Sequence, residues 1–501
     1  MKRLSLALAV LLPAAMWGQK LADIEKRVTE FQLANGVTFV IYERHQAPVV
    51  SFFSRINAGG ADDPKGQAGL AHMFEHMAFK GTTTIGSLNF PQEKLAMAQV
   101  EVAYDALSAE RGKGRQADAA KVKTLEENLK KAIEKAGTFV DKERFTKILE
   151  ENGAVGLNAF TSLDETAYIM SMPANKLELW FALESDRFIN PVFREFYNER
   201  GVIREEYRMR IESDPTGRLI NEMLSVAFAT SPYRTGPAGI PSDIESYRLA
   251  DALAFRKIYY VPSNLVIAIA GDVDPVEVKR LAEKYFGKFV GGPKPTRPAT
   301  QETPQQGEKR LVVESPSQPV VAIGYKRPSV LDPDDTKFDV LSSLLSSGRT
   351  SVMYKELVQD KKIALAAQAI ANFPGAKLEN LFVLFLVPNA GKTTEDCEKA
   401  AYEIVERMKT QPVTEEQLKR VKTQIRANLI RGLDSNSGMA QNMATTKALF
   451  GDWRVLFTQL DELDKVTAAD VMAAAKKYLV AKNRTVGSTV QPVQAKEEQK
   501  K

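Results

Sequence analysis

The stretch GLAHMFEHMAFKGT, residues 69–82, contains His72, Glu75 and His76 in the spacing H-x-x-E-H. On a helix, positions i and i+4 lie about one turn apart on the same face, so the two imidazoles could bind one ion. Neutral imidazole is a good zinc ligand, and a glutamate beside the ion could take a proton from a metal-activated water. The spacing therefore indicates a catalytic metal site, in the reverse order of H-E-x-x-H.

The alternative is an ordinary helix with two hydrogen-bonded histidines. The apolar neighbours Leu70, Met73, Phe74 and Met77 predict that much of this helix is buried. Buried polar side chains are costly unless they have partners. The apolar surroundings therefore favour the metal site.

A catalytic zinc site needs a third protein ligand and an open position. The chain has three histidines, and the third, His45, lies in a predicted turn after a strand; the single cysteine, Cys397, lies in the other half. A carboxylate is therefore expected. In YNERGVIREEYRMR, residues 197–210, Glu199 and Glu206 are two helical turns apart on one face. One could bind the metal while the other orients a histidine.

The two halves of the chain repeat a pattern of apolar strands. QAPVVSFF (46–53) resembles SQPVVAIG (317–324), and YYVPSNLVIAIAGDVDP (259–275) resembles YLVAKNRTVGSTVQP (478–492). The order of the two blocks is the same, which indicates a duplicated unit. The blocks are about fifty residues further apart in the first copy.

The segment 98–147 is the candidate for these extra residues, since it is charged and lacks proline. Val122, Leu125, Leu129 and Ile133 keep helical spacing on one face. We therefore predict an inserted helical hairpin. The alternative is that this segment belongs to the domain's own helical layer.

Strands and helices do not alternate strictly along the chain, which favours an α+β fold. We predict two homologous domains, each a mainly antiparallel sheet with helices packed on one face. The predicted segments are a signal peptide at 1–18, an N-terminal catalytic domain at 19–290 containing the insertion, a linker at 291–309, a C-terminal domain at 310–490 and a disordered tail at 491–501.

The first residues are typical of an export signal. Lys2 and Arg3 precede an apolar run at 4–15, and small residues follow it. The run is shorter than the ~20 residues that a membrane span needs. We therefore expect an exported protein, in the periplasm of a Gram-negative bacterium, with no membrane span. The alternative is a buried N-terminal helix.

The composition excludes some other classes of function. The net charge of +5 is small for 501 residues, and no basic block interleaved with aromatic residues stands out, so nucleic-acid binding has no support. One cysteine cannot form an internal disulfide. The fold must therefore depend on its core, and the metal site on histidines and carboxylates.

Three blocks, GLAHMFEHMAFKGT, NAFTSLDETAYIM and NERGVIREEYRM, resemble in this order the M16 (pitrilysin-type, inverzincin) metallopeptidases. The subgroup resembled is that of mitochondrial processing peptidase β-subunits and their bacterial relatives, over nearly the whole mature chain. The resemblance implies one Zn²⁺ per chain, bound by His72, His76 and Glu206, with Glu75 as the base and Glu199 as an additional glutamate beside the site. It also implies an endopeptidase of the metalloprotease class, whose two domains form a clam-shell chamber.

The resemblance further implies how substrate binds. Asn158, Ala159, Phe160 and Thr161 resemble an edge strand to which an extended peptide adds as a further strand. The expected substrate is therefore an extended peptide or an unfolded protein segment. The alternative is an ordinary interior strand.

One departure from the family pattern concerns the later half of the chain. Active relatives carry an arginine and a tyrosine there, in a pattern like LYxxLRxxxxxxY, which bind substrate and stabilise the oxyanion. The matching stretch is VMYKELVQDKKIALAAQ, residues 352–368, where Tyr354 matches but Gln359 and Ala366 replace the pair. We therefore predict a heterodimer in which a second M16-type subunit supplies the missing pair. The alternatives are a structural or assembly subunit without activity and a processing protease dedicated to one partner peptide.

Overall fold

The computed structural model describes residues 23–296 and 300–492. The predicted signal peptide and nearly all of the predicted tail lie outside the described residues, as does the middle of the predicted linker. Among the described residues, no helix combines the length and the apolar character needed to cross a membrane.

The N-terminal half is built on a six-stranded sheet with the strand order β1-β2-β6-β3-β5-β4. Only β2 and β6 are parallel neighbours. The strands are β1 (Val28–Gln32), β2 (Thr38–Glu43), β3 (Val49–Ile56), β4 (Val155–Thr161), β5 (Thr166–Pro173) and β6 (Leu265–Gly271).

The C-terminal half contains a five-stranded sheet with the order β7-β11-β8-β10-β9, in which only β7 and β11 are parallel. The strands are β7 (Lys309–Glu314), β8 (Val321–Arg327), β9 (Ala364–Phe373), β10 (Asn380–Pro388) and β11 (Arg484–Val490). Apart from the extra edge strand β1, order and direction match those of the first sheet. This match is what a duplicated unit would produce.

Sixteen α-helices of six or more residues lie in the described parts of the chain. Those before the linker are α1 (Leu70–Met77), α2 (Phe90–Arg111), α3 (Ala119–Gly137), α4 (Arg144–Glu151), α5 (Leu177–Ile189), α6 (Phe196–Tyr207), α7 (Pro215–Ala227), α8 (Pro241–Ser246), α9 (Leu249–Tyr259) and α10 (Pro275–Phe286). Those after it are α11 (Asp335–Ser346), α12 (Thr394–Thr410), α13 (Glu415–Asp434), α14 (Asn436–Phe450), α15 (Val455–Lys465) and α16 (Ala468–Tyr478).

A helical hairpin occupies the segment where the sequence predicts an insertion. Helices α2 and α3 pack against each other, and Asp118 caps α3 by accepting hydrogen bonds from the backbone N–H groups of Ala120 and Lys121. Leu129 and Ile133 of α3 pack against the main core of the N-terminal half. The hairpin is therefore attached to the domain through its apolar face.

Alternate residues of each strand enter different cores, as the period of a strand requires. In β2, Phe39 and Ile41 face the helices of their own half, whereas Val40 and Tyr42 face the other side of the sheet. The same alternation occurs in the C-terminal sheet. Both faces of each sheet are therefore buried.

The second face of each sheet is covered by a helix from the other half. Helix α14 packs on β3, β6 and β2, with Met439 and Met443 against the N-terminal sheet. Reciprocally, α7 packs on β11 and β7, with Leu219 and Met223 against the C-terminal sheet. This exchange adds to the predicted arrangement, in which each domain's own helices cover one face.

A hairpin loop between β9 and β10 also joins the halves. The backbone N–H of Ala376 donates to Asp164 Oδ2 at 2.5 Å, and the phenol of Tyr233 donates to Asp164 Oδ1 at 2.6 Å. Lys377 Nζ donates to the Asn57 carbonyl at 3.3 Å. Asp164 follows the end of β4 by three residues, so this contact reaches the strand beside the candidate site.

Candidate metal centre

Helix α1 begins at Gly69, whose φ of 93° lies in the left-handed region. A Cβ at this position would lie 2.8 Å from the hydroxyl of Tyr247 and 2.9 Å from the Cα of Gly239, so only glycine fits. The buried face of α1 packs in the core, and its remaining contacts are with α6, α9 and β4. This packing aims His72 and His76 at α6.

The structure brings His72, His76 and Glu206 together. The Nε2 atoms of His72 and His76 lie 3.6 and 3.4 Å from Glu206 Oε2. All three candidate ligand atoms lie within 4.8 Å of one another. Two atoms that each lie ~2.0–2.1 Å from one tetrahedral ion are roughly 3.3–3.4 Å apart. The cluster therefore has the dimensions of three corners of a zinc site.

The protonation of His72 fits this use. Burial, together with the positive charges of His76 and Arg210, lowers the pKa of His72 to about 3. Its imidazole is therefore neutral at neutral pH, as a ligand must be. Among the described residues, the buried Nδ1 of His72 has no hydrogen-bond partner, so the polar contact of this ring is at Nε2. The donor set, two imidazoles and a carboxylate, is one that zinc prefers.

His76 is held from its other nitrogen. Its Nδ1 lies 3.3 Å from Glu199 Oε2, and this contact favours the tautomer with Nε2 free to bind a metal. Burial alone would lower the pKa of His76, but the bond to Glu199 and the charges of Glu75 and Glu206 raise it. Burial likewise opposes ionisation of Glu199, yet the bonds from His76 and Lys80 lower its pKa. The structure thus places Glu206 beside the Nε2 atoms of both histidines and Glu199 beside Nδ1 of His76.

Glu75 points to the edge of the sheet. Its Oε2 accepts a hydrogen bond of 2.7 Å from the hydroxyl of Thr161, at the end of β4. Burial raises the pKa of Glu75, and the bond from Thr161 opposes this effect. A buried carboxylate with a raised pKa is suited to accepting and returning a proton.

Strand β4 is a terminal strand of the sheet, so one of its edges is not paired within it. On its other edge Asn158, Ala159, Phe160 and Thr161 pair with residues 166–169 of β5. Upstream of a bulge the strand is exposed, with Val155 at 62%. The four predicted substrate-binding residues therefore lie on an edge strand beside Glu75, and Thr161 also contacts Glu75.

The residues at the expected positions of the arginine and tyrosine lie in the C-terminal half. Counted from Tyr354, the pattern puts the arginine at Val358 and the tyrosine at Leu365, each one residue before Gln359 and Ala366, and neither residue is polar. Tyr354 begins a π-helical turn, Tyr354–Asp360, and Ala366 lies on the edge strand β9. Gln359 and Ala366 are both exposed. The structure thus places these two positions on the surface of the C-terminal half.

Three charged residues beside the cluster are missed by sequence reasoning. The guanidinium of Arg210 pairs with Glu206 Oε1, one turn further along the chain. Lys80 pairs with Glu199, and Glu195 lies 3.5 Å from Lys80. Lys80 and Arg210 stand inside or beside the quoted blocks, so an i+4 search around Glu206 could have found Arg210.

Comparison with known proteins gives two family matches in chain order. The profile described as "Insulinase (Peptidase family M16)" matches residues 39–103 and 127–236, and that described as "Peptidase M16 inactive domain" matches 246–425. The unmatched residues 104–126 lie within the helical hairpin. Together the matches cover both halves of the chain.

Curated relatives include a zinc protease PqqE of Helicobacter pylori, which is 28% identical and covers 90% of this chain and 88% of its own. A probable mitochondrial-processing peptidase subunit beta of Arabidopsis thaliana is 23% identical, over 94% and 79% of the two chains. These names are those of the relatives, and both relatives align along most of this chain.

Solved structures confirm the predicted fold class. A protease from Helicobacter pylori superposes with a TM-score of 0.77 at 24% identity, over 92% of this chain and 99% of its own. The periplasmic protease PqqL from Escherichia coli gives a TM-score of 0.67 at 18% identity, over 93% of this chain but 47% of its own. The sheet topology, the two profile matches and these neighbours show that the chain belongs to the M16 family of metallopeptidases.

Proposed function

We propose that this chain is a zinc-dependent endopeptidase that cleaves extended peptides or unfolded protein segments. The observation that carries the proposal is that His72, His76 and Glu206 converge on one point. Glu75 lies beside them, because it directly precedes His76 on helix α1. A zinc ion bound there would act as a Lewis acid and lower the pKa of a water molecule. The relatives named zinc proteases support this assignment.

The chain's own residues have separate tasks in this reaction. Glu75 accepts a proton from the attacking water and returns it to the leaving amine nitrogen, so the peptide C–N bond breaks without net proton uptake. Thr161 holds the carboxylate of Glu75 by its hydrogen bond. The free edge of β4 binds the substrate backbone, which restricts substrates to extended chains.

We further propose that the site is completed by a second M16-type subunit. The pattern counted from Tyr354 puts the arginine and the tyrosine at Val358 and Leu365, next to Gln359 and Ala366, and none of these side chains could replace that pair. The two halves of this chain already pack directly on each other. This chain covers 47% of the Escherichia coli PqqL structure, so that relative has room for two such units in one chain. The clam-shell chamber would then form between two chains.

The catalytic assignment is tested by a Glu75→Gln variant of the full mature chain. We expect wild type and variant to hold one zinc each by elemental analysis, and the variant to lose cleavage of an unstructured peptide by ~10²–10⁴. Glu277→Gln, on the exposed face of α10, is the matched control and should cleave as wild type does. Normal cleavage by Glu75→Gln would contradict the mechanism.

The subunit assignment is tested by adding a second M16-type chain that lacks H-x-x-E-H but keeps the arginine and tyrosine. We expect a stable complex by sedimentation and a rise in kcat/KM of ~10²–10³. A chain that is fully active alone, and that no second chain stimulates, would rule out this assignment. Zinc binding without cleavage, even in the complex, would favour the structural subunit, and cleavage of one partner peptide only would favour a dedicated processing protease.

The proposed location is the periplasm. The predicted signal peptide supports it, and one structural relative is titled a periplasmic protease. Cell fractionation with a tag at the C-terminus tests the location directly. Recovery in the cytoplasmic fraction would contradict it.

A further inference from the structure

One hydrogen bond and three ion pairs lead from the metal cluster to the segment between helices α3 and α4. His76 Nδ1 contacts Glu199, whose other oxygen pairs with Lys80. Lys80 Nζ lies 3.5 Å from Glu195 Oε2, and Glu195 Oε1 lies 3.4 Å from Lys142 Nζ. The inner three charged side chains, Lys80, Glu195 and Glu199, are 14–21% exposed. Pairs this sheltered are screened less by salt than surface pairs are.

Glu195 is placed at the cost of an unfavourable backbone conformation. Its φ is 59°, in the left-handed region that residues other than glycine rarely adopt. It forms the N-cap of α6, the helix that carries both Glu199 and Glu206, and its carbonyl accepts the N–H of Glu199 at 3.0 Å. Strained residues persist where the surrounding contacts over-determine them, commonly at functional sites. The strain at Glu195 is therefore a sign that its position is needed.

The neighbouring Arg194 supplies the contacts that hold this turn. Its fully buried guanidinium pairs with Glu93 at 2.6 Å and donates to the carbonyls of Thr82 at 2.8 Å and Ile85 at 3.0 Å. It also donates to the carbonyl of Lys80. Arg194 and Glu195 thus contact the same segment after α1. Arg194 binds its backbone carbonyls, and Glu195 binds the side chain of Lys80.

We propose that Lys80 and Glu195 are positioning residues for the metal ligand His76, acting through Glu199. The proposal rests on the metal site of the proposed function. Glu199 must keep one oxygen on His76 Nδ1, and Lys80 holds the other oxygen so that the carboxylate cannot rotate away. Glu195 in turn holds the ammonium of Lys80, and Lys142 extends the chain of ion pairs to the segment between α3 and α4.

The direct test measures zinc affinity of the purified full chain by competition with a chromogenic chelator. We expect Lys80→Met to weaken zinc binding by ~10–100-fold, which is the usual effect of removing an outer partner of a metal-bound histidine. Lys80→Arg keeps the charge and should stay within a few-fold of wild type. Glu195→Gln should weaken binding less than Lys80→Met, and Lys142→Ala, at a 68% exposed side chain, least of all.

Lys447→Met is the matched control. Lys447 is 20% exposed against 21% for Lys80, and it pairs with Glu30 at 2.6 Å in another part of the molecule. It should leave zinc affinity unchanged. A second readout is the visible absorption spectrum of the Co²⁺-loaded chain, which responds to ligand geometry: Lys80→Met should shift it, whereas Lys80→Arg and Lys447→Met should not.

The outcomes separate this inference from the proposed function. Equal zinc affinity and an unshifted cobalt spectrum in Lys80→Met would overturn the inference alone. An equal loss of affinity in Lys447→Met would also overturn it, because the effect would then be general destabilisation. Tight zinc binding without any peptide cleavage, even in the complex with a second M16-type subunit, would remove the proposed function but leave the positioning role standing. A wild-type chain that binds no zinc would overturn both.

Discussion

Helices α1 and α11 follow corresponding inner strands, β3 and β8, in the two halves of the molecule. Helix α1 presents His72 and His76 at positions i and i+4, and α11 presents two aspartates, Asp335 and Asp339, at the same spacing. Asp335 pairs with the buried Arg327 at 2.5 Å. The same arrangement of strand and helix therefore holds candidate metal ligands in one half and an internal ion pair in the other, and the difference lies in the side chains.

The edge strands differ in the same way. Strand β4 places Thr161 on the carboxylate of Glu75, whereas β9 exposes apolar side chains, with Leu365 at 64% and Ile370 at 36%. A free edge alone is common to both halves, so it does not make a substrate site. What distinguishes β4 is that the carboxylate of Glu75, the proposed base, lies within hydrogen-bond distance of its end.

The largest expected difference between the halves comes from replacing the second residue of each i, i+4 pair, which is His76 on α1 and Asp339 on α11. His76→Ala should lose bound zinc and lower peptide cleavage by more than ~10³, because two of the protein ligands cannot hold a catalytic ion. Asp339→Asn should keep zinc content and cleavage within about twofold. Elemental analysis and kcat/KM measure both, and the thermal midpoint of each variant shows that it is folded. Loss of zinc in Asp339→Asn would mean that the C-terminal half takes part in the metal site.

The exchanged helices allow a second comparison between the halves. Met223 on α7 and Met443 on α14 are each 1% exposed, and each packs on the sheet of the other half. Either Met→Ala substitution should cost about 2–5 kcal/mol of stability. Because each helix belongs to both cores, we expect each variant to unfold in urea in one transition. Its midpoint should be lowered by the same amount whether fluorescence or circular dichroism is measured. Two separate transitions in either variant would show that the halves unfold independently.

How much of this comparison the sequence reveals depends on the range of the interaction. Strand β3 overlaps the block QAPVVSFF that the sequence marks as an apolar strand, because such a run is a local signal. Helical spacing also finds the histidine pair and the two candidate glutamates, Glu199 and Glu206, but only the family resemblance implies which glutamate binds the metal. The exchange of α7 and α14 is not predictable in this way, because an amphipathic face does not specify which sheet it will cover. The contact of Lys80 with Glu195 likewise depends on a left-handed residue more than one hundred positions away in the chain.

Stability as a function of pH should differ between wild type and Asp339→Asn. Burial, then the charge of Asp335, raises the pKa of Asp339 from 3.8 to about 7. The unfolded chain therefore loses this proton at lower pH than the folded protein does, so wild-type stability should fall as the pH rises from about 4 to about 7. Asp339→Asn should remove this loss and be more stable than wild type at pH 8 by roughly 1–4 kcal/mol.

Urea unfolding of both proteins at pH 4.5 and pH 8 measures this difference. At pH 4.5 the two should differ little, because Asp339 is largely protonated in the folded state. A gain of stability that is the same at both pH values would mean that the ionisation of Asp339 is not its cause. In that case α11 would hold both carboxylates without an ionisation cost, and the contrast with the histidine pair of α1 would be one of side-chain type alone.

The smallest expected effects come from the left-handed residues of the two halves. Glu143, Glu195 and Lys362 have φ values of 60°, 59° and 50°. Glycine relieves ~1–2 kcal/mol of strain at such a position and costs ~0.5–1 kcal/mol of chain entropy, so Glu143→Gly and Lys362→Gly should each stabilise by at most ~1.5 kcal/mol. Glu195→Gly gains the same backbone relief but loses its contact with Lys80. Among these three variants we therefore expect only Glu195→Gly to weaken zinc binding in chelator competition, because only Glu195 combines a left-handed backbone with a contact that leads to the proposed ligand His76. Equal zinc affinity in all three variants would mean that the strain at Glu195 has no connection with the metal site.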